Sequence, residues 1–299
     1  MMRLRVTLIF LLPIGFASAQ DVGLPAYILE LPDSVATVLI AEADTATLHN
    51  FRNDEAGLQP AYGQRMSIGR RGVGKRVSGD RRTPLGIYFV VDELDTTSMH
   101  EKYGPAAFPL DYPNTWDNVN DRTGSGIWIH GVVPGSGLRP ELDTDGCIAL
   151  PNDALLELAS QLMPLQTPVL VTRKMQLASR EEIEQQRGEL MAVLKQWERS
   201  YRDGDWHQYL SLYAEDFSHR GMNLQEWSTY RLRTVANREI VDFTIDDLML
   251  FSDPEEPGLY LSRFRQTISE ADRSIATMKR LYWRKSPAGD LRIVAEDNG

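Results

Sequence analysis

The chain has a single cysteine among 299 residues, Cys147. One thiol excludes an intrachain disulfide, a four-cysteine zinc site and any two-cysteine redox motif. Histidines are few, five in all, and none stands in His-x-x-x-His spacing or in a His/Asp cluster. A metallopeptidase centre is therefore not indicated, and neither a metal nor another cofactor is expected. Positive charge is also short: 32 Lys and Arg stand against 42 Asp and Glu, a net charge of −10. Such a balance argues against nucleic acid or an anionic membrane surface as partner. No apolar run reaches the ~18 residues that a membrane helix needs.

The first apolar run, Val6 to Phe16, follows the basic residues Arg3 and Arg5 and precedes Ala17-Ser18-Ala19. Charge, short apolar core and small residues in that order are the pattern of a secretory signal. Residues 1–19 are expected to be a signal peptide cleaved after Ala19, giving an exported, periplasmic protein starting at Gln20. No membrane insertion is expected after cleavage. In an oxidising compartment an unpaired thiol is either buried and inert or used as a nucleophile. The count alone leaves both readings of Cys147 open.

Two blocks follow. From Val35 to Thr172 the pattern is of short strands: Val35 to Ala41, Thr45 to Phe51, Gly86 to Val91, Gly126 to His130 and Pro168 to Thr172. One helix is expected after Asn152 or Asp153 as cap, with Leu155, Leu158, Ala159 and Leu162 on one face. Gly, Pro, Asn and Asp cluster between Lys102 and Gly126, the composition of long loops around a site. The second block opens with Leu190, Leu194, Trp197 and Tyr201 at helical spacing, broken by Asp203-Gly204-Asp205. Trp206, Tyr209, Leu210 and Tyr213 predict a second helix. Alternation around Phe243, Phe264, Trp283 and Leu291 to Val294 then predicts an antiparallel sheet, an α+β pattern. The expected divisions are 20–175 for the first domain, 176–186 for a polar linker and 187–299 for the second domain.

Chemistry concentrates in one stretch. Gly126-Ile127-Trp128-Ile129-His130-Gly131 is followed, across a loop, by Asp143-Thr144-Asp145-Gly146-Cys147-Ile148-Ala149-Leu150. A histidine ends one strand and a cysteine opens the next apolar run. Adjacent strands bring such a pair within reach, imidazole serving as base for the thiol. Gly146 removes a side chain beside the nucleophile, so backbone N–H groups of Gly146 and Cys147 are candidates for an oxyanion site. Gly131 frees the backbone after His130, so that a main-chain carbonyl can hold the imidazole tautomer.

These residues resemble the L,D-transpeptidase catalytic domain, whose members carry a His-Gly pair and a Ser/Thr-x-Gly-Cys element followed by an apolar residue. Here they are His130-Gly131 and Thr144-Asp145-Gly146-Cys147-Ile148. Upstream, Ser67-Ile68-Gly69 and Gly79-Asp80-Arg81-Arg82-Thr83-Pro84-Leu85-Gly86 resemble the family's Gly-Asp-x-x-Thr-Pro-x-Gly segment. The resemblance implies a mostly β catalytic domain, Cys147 as nucleophile, His130 as base assisted by Gly131, and Trp128, Thr144 and Tyr112 as substrate-binding residues. Many members carry His or Arg where Asp145 stands and arginine where Ala149 stands, so this chain lacks a cation near the thiol and an arginine that would bind substrate carboxylate.

The second block resembles the α+β, cone-shaped nuclear transport factor 2-like fold, its ligand not readable. The combination is similar to L,D-carboxypeptidases that trim peptidoglycan in helical bacteria. It implies cleavage between diaminopimelate and D-alanine of stem tetrapeptides, the partner being the peptidoglycan stem. Transfer to an amine (L,D-transpeptidation) and a catalytically dead wall-peptide binder are the alternatives. A fragment ending near Lys174 is expected to act on soluble muropeptides but not on sacculi. Otherwise the second block merely covers an apolar face of the first.

Overall fold

The structure is a computed structural model that describes residues 23–137, 139–235 and 238–299. The expected signal peptide and its cleavage point lie outside the described residues. No helix among the described residues is long and apolar enough to cross a membrane.

The first block is built on a five-stranded sheet. Its order is Gly57–Arg65, Thr47–Asp54, Thr37–Glu42, Pro168–Thr172 and Gly86–Phe89. The Thr37–Glu42 and Pro168–Thr172 strands pair in parallel, Val169 opposite Leu39. Both are buried along their full length, which is why they read as continuous apolar runs without alternation. Side chains on a strand alternate between faces. Leu39, Ala41, Val169 and Val171 point into one core with Ile129, Ile148 and Leu150. Val38, Ile40, Phe89 and Leu170 point into another, shared with Met249, Phe251, Leu261 and Tyr282 of the second block.

The second block carries a seven-stranded sheet. Six of its strands come from residues 213–297, but the edge strand is Ile28–Glu30, from the other end of the chain. That strand pairs with Asp242–Ser252 through Leu250 and Phe251. The helix Arg180–Arg202 lays Leu190, Leu194, Trp197 and Tyr201 on the sheet's inner face against Phe264, Leu281 and Trp283. Period-two alternation sends Leu281 and Trp283 inward and Tyr282 outward to the first block. Polar bonds cross the same seam: Arg122 to Glu256 at 2.7 Å, Trp116 to Glu256 at 3.1 Å and Thr172 to Glu255 at 3.0 Å.

Three local expectations differ from the structure. The stretch 176–186, expected as a polar linker, includes a strand and the first turns of a helix. Leu177–Ala178 pairs with Leu24–Pro25, and the long helix starts at Arg180 because Ser179 and Glu182 form a reciprocal capping box. Tyr213 begins a strand instead of ending a helix, the helix being Trp206–Ser211. The helix Asn152–Ala159 has Pro151 at its cap position, because the Asn152 amide is used elsewhere, bonding Val132 N and O at 2.8 and 3.0 Å.

Candidate active site

A small three-stranded sheet holds the residues of interest, in the order Ile148–Ala149, Trp128–His130 and Ala107–Pro109. Ile148 pairs with Ile129 and Ala149 with His130 in parallel register. Ile129 and Ile148 are fully buried in the core. Alternation therefore turns Trp128 and His130 to the opposite face, and Cys147, one residue before Ile148, rises on that same face beside Trp128. In this register Cys147 and His130 lie two positions apart on the same face of the sheet.

His130 is buried, and its Nδ1 lies 2.6 Å from the Gly131 carbonyl oxygen. A carbonyl only accepts, so Nδ1 carries the proton and Nε2 keeps its lone pair for another. Burial pushes the imidazole down to about 4, with the charges of Arg139 and Lys102 acting the same way against the Gly131 bond. The Cys147 thiol is half-buried and donates to the Gly126 carbonyl at 3.3 Å. Burial raises its pKa, while the Trp128 backbone amide and the charges of Lys102 and Lys75 pull it down. Burial thus disfavours the charged form of both groups.

The glycines are fixed by close approach. A Cβ at Gly131 would lie 2.4 Å from Asn152 Oδ1 and 2.8 Å from Pro105 Cδ. Gly146 has φ +133, and a Cβ there would lie 2.8 Å from the Arg82 carbonyl oxygen. That contact ties the Gly-Asp-x-x-Thr-Pro segment to the turn that presents the cysteine.

Several expected site residues have other work. The Thr144 hydroxyl is buried, accepts from Gly146 N at 3.1 Å and donates to the Cys147 carbonyl at 2.7 Å. It clamps the turn and is not open to substrate. The same bond occupies the Gly146 N–H, one of the two expected oxyanion donors. Tyr112 is buried in the core with its hydroxyl on the Thr123 carbonyl at 3.1 Å, so it is not a substrate contact. Trp128 is partly exposed and does face the site, its ring 4.9 Å from that of Tyr103. Tyr103 also packs edge-on against His130 at 5.3 Å, and its carbonyl accepts from Gly131 N at 2.9 Å. Sequence reasoning missed Tyr103; its only signal was the loop-rich composition after Lys102.

The charges that act on the thiol are Lys102 and Lys75, which lower its pKa, and Asp145, which raises it. Asp145 pairs with Arg70 at 3.0 Å and Arg81 at 3.7 Å, and Asp143 with Arg139 at 2.6 Å. The acidic residue before Gly146 thus pairs with two arginines of the upstream segment.

A buried, tautomer-fixed histidine and a cysteine stand on one face of a small β-sheet, and the comparisons give the class of protein. Residues 36–171 match the L,D-transpeptidase catalytic domain family (YkuD), and residues 189–297 match the C-terminal NTF2-like domain family of Cds6. The chain thus carries an L,D-transpeptidase catalytic domain, of a family that modifies peptidoglycan, followed by an NTF2-like α+β domain. No curated protein sequence matches the chain. Among solved structures, Bd1075 of Bdellovibrio bacteriovorus is similar at 24% identity, covering 92% of this chain and 97% of that one, with a TM-score of 0.75. The helical cell shape determining protein Pgp2 of Campylobacter jejuni is similar at 24% identity, covering 93% and 95%, with a TM-score of 0.75. Both share the two-block fold from end to end.

Proposed function

We propose that the protein is an exported L,D-carboxypeptidase that trims stem tetrapeptides of peptidoglycan to tripeptides. The observation that carries the reading is the placement of Cys147 and His130 on one face of the sheet, with the imidazole tautomer set by Gly131. Cys147 Sγ attacks the carbonyl between diaminopimelate and D-alanine while His130 Nε2 takes the thiol proton. The Cys147 N–H faces the oxyanion that forms. His130 then returns the proton to the departing amine, the C–N bond breaks, and D-alanine leaves a thioester on Cys147. Water, deprotonated by His130, attacks that thioester. The tripeptide carboxylate departs and the thiol is regenerated.

Trp128 and Tyr103 form an aromatic wall along which the stem lies. Water as acceptor is favoured by the two-block layout and by Ala149 standing where many members carry arginine. Export rests on the N-terminal pattern, and a mature protein recovered from periplasm with Gln20 at its N-terminus is the expected outcome. The test of the reaction is incubation of purified protein with muropeptides and mass analysis of the products. Tripeptides and free D-alanine support the proposal. New peptide dimers would replace it with transpeptidation, and no turnover with intact binding would leave a wall-peptide binder.

A further inference from the structure

An enzyme that removes only a terminal residue must read the chain end, and the mark of that end is a carboxylate. In the proposed reaction this carboxylate sits one carbon from the leaving nitrogen, beside Cys147 and His130. A carboxylate brought to a half-buried site needs a cation that is not already matched. Most cations nearby are matched. Lys75 is buried against Asp80 at 2.8 Å, Arg70 and Arg81 hold Asp145, and Arg139 holds Asp143 with two of its N–H groups.

Lys102 is different. It lies in the short turn Glu101–Tyr103, and among the described residues its ammonium has neither a carboxylate partner nor a hydrogen bond. Instead Nζ sits 4.8 Å from the centre of the Tyr103 ring, the ring that packs on both Trp128 and His130. The aliphatic stem is thus braced on the wall of the site while the charge stays open to solvent. Its field reaches both reacting groups, lowering the pKa of Cys147 and of His130 alike. The Tyr103 carbonyl is in turn bonded to Gly131 N at 2.9 Å, which fixes this turn relative to the base.

We propose that Lys102 is the specificity-determining residue that binds the C-terminal carboxylate of the substrate. The inference rests on the proposed peptidase reading and deepens it. Lys102 holds the terminal D-alanine so that the preceding carbonyl meets the thiol, and a stem whose end is amidated or extended loses that contact.

The test uses the full-length protein with Cys147→Ala, which binds without turning over. Affinity is measured for a muropeptide tetrapeptide with a free C-terminal carboxylate and for its C-terminal amide. The acid is expected to bind about 10- to 100-fold more tightly, the range for a charge-assisted contact. Adding Lys102→Gln should abolish that preference, Lys102→Arg should keep most of it, and Arg139→Gln should leave it in place. A preference unchanged by Lys102→Gln, or transferred to Arg139, overturns the inference. So does a parent that binds acid and amide equally. Release of D-alanine from the same tetrapeptide by the unmutated enzyme reports on the peptidase reading separately. Failure to bind either peptide, with no release, would overturn both.

Discussion

Cutting the chain after Lys174 is expected to destroy the catalytic domain, not to free it. The second face of its five-stranded sheet presents Val38, Ile40, Phe51, Ile87, Phe89 and Leu170, each no more than 5% exposed, to the outer face of the NTF2-like sheet. Burying one such side chain stabilises by roughly 1.5–3 kcal/mol. If half of that burial comes from the second block, six side chains lose about 5–9 kcal/mol. A domain's whole stability is about 5–15 kcal/mol. The Ile28–Glu30 strand would lose its partner as well. A 20–174 fragment should therefore be insoluble, or compact but molten with exposed apolar surface. A milder probe is Phe251→Ala, since Phe251 packs edge-on against Phe89 at 6.3 Å and is fully buried. It should cost about 3–5 kcal/mol. Carbapenem acylation of Cys147 and the native tryptophan fluorescence should then be lost in one transition at lower denaturant. A soluble 20–174 fragment that melts cooperatively and cleaves muropeptides would refute this reasoning, as would an active site that survives while the second block unfolds.

Three further outcomes follow from the site. Cys147→Ala should form no covalent adduct with a carbapenem or substrate by intact mass, because no other thiol exists; residual turnover near the wild-type rate would remove Cys147 from the reaction. His130 binds fewer protons folded than unfolded, its pKa being lowered from 6.5 to about 4, so stability should fall as pH drops through that window. The shift corresponds to about 3 kcal/mol. A His130→Gln variant should lose that much less than wild type between pH 7 and 4 in denaturant titrations, and its turnover should fall by about 10²- to 10⁴-fold. Identical pH slopes for the two proteins would contradict a neutral buried imidazole. Gly131→Ala should force Asn152 off Val132, lowering stability by about 1–3 kcal/mol and lowering activity by more than the loss of folded protein explains. An unchanged melting temperature would show that the loop yields freely.

The sequence made the candidate pair legible because chemistry restricts it. Only a few residue types act as nucleophile or base at neutral pH, and a histidine at a strand end followed by Gly-Cys leaves few arrangements. The supporting residues were harder to read because each has two uses for the same group. A hydroxyl three residues before the cysteine serves substrate if it is open and the backbone if it is buried. Thr144 is buried, so it holds Gly146 N and the Cys147 carbonyl. Tyr112 is likewise sealed by the core. The run Val38 to Ala41 showed a strand buried on both faces, but nothing local says what covers the second face.

Pairings across long separations stayed hidden for the same reason. Ile28–Glu30 joins a sheet whose other strands begin beyond residue 210, an arrangement that local periodicity does not encode. Charge shows this most clearly. Judged against its neighbours in sequence, Asp145 places a negative group where a cation would favour the thiolate. In space it meets Arg70 and Arg81, brought there because Gly146 packs on the Arg82 backbone. The short motif and the upstream Gly-Asp-x-x-Thr-Pro segment are thus one electrostatic unit. A change at Asp145 therefore acts on the turn that carries the nucleophile through two arginines more than sixty residues away.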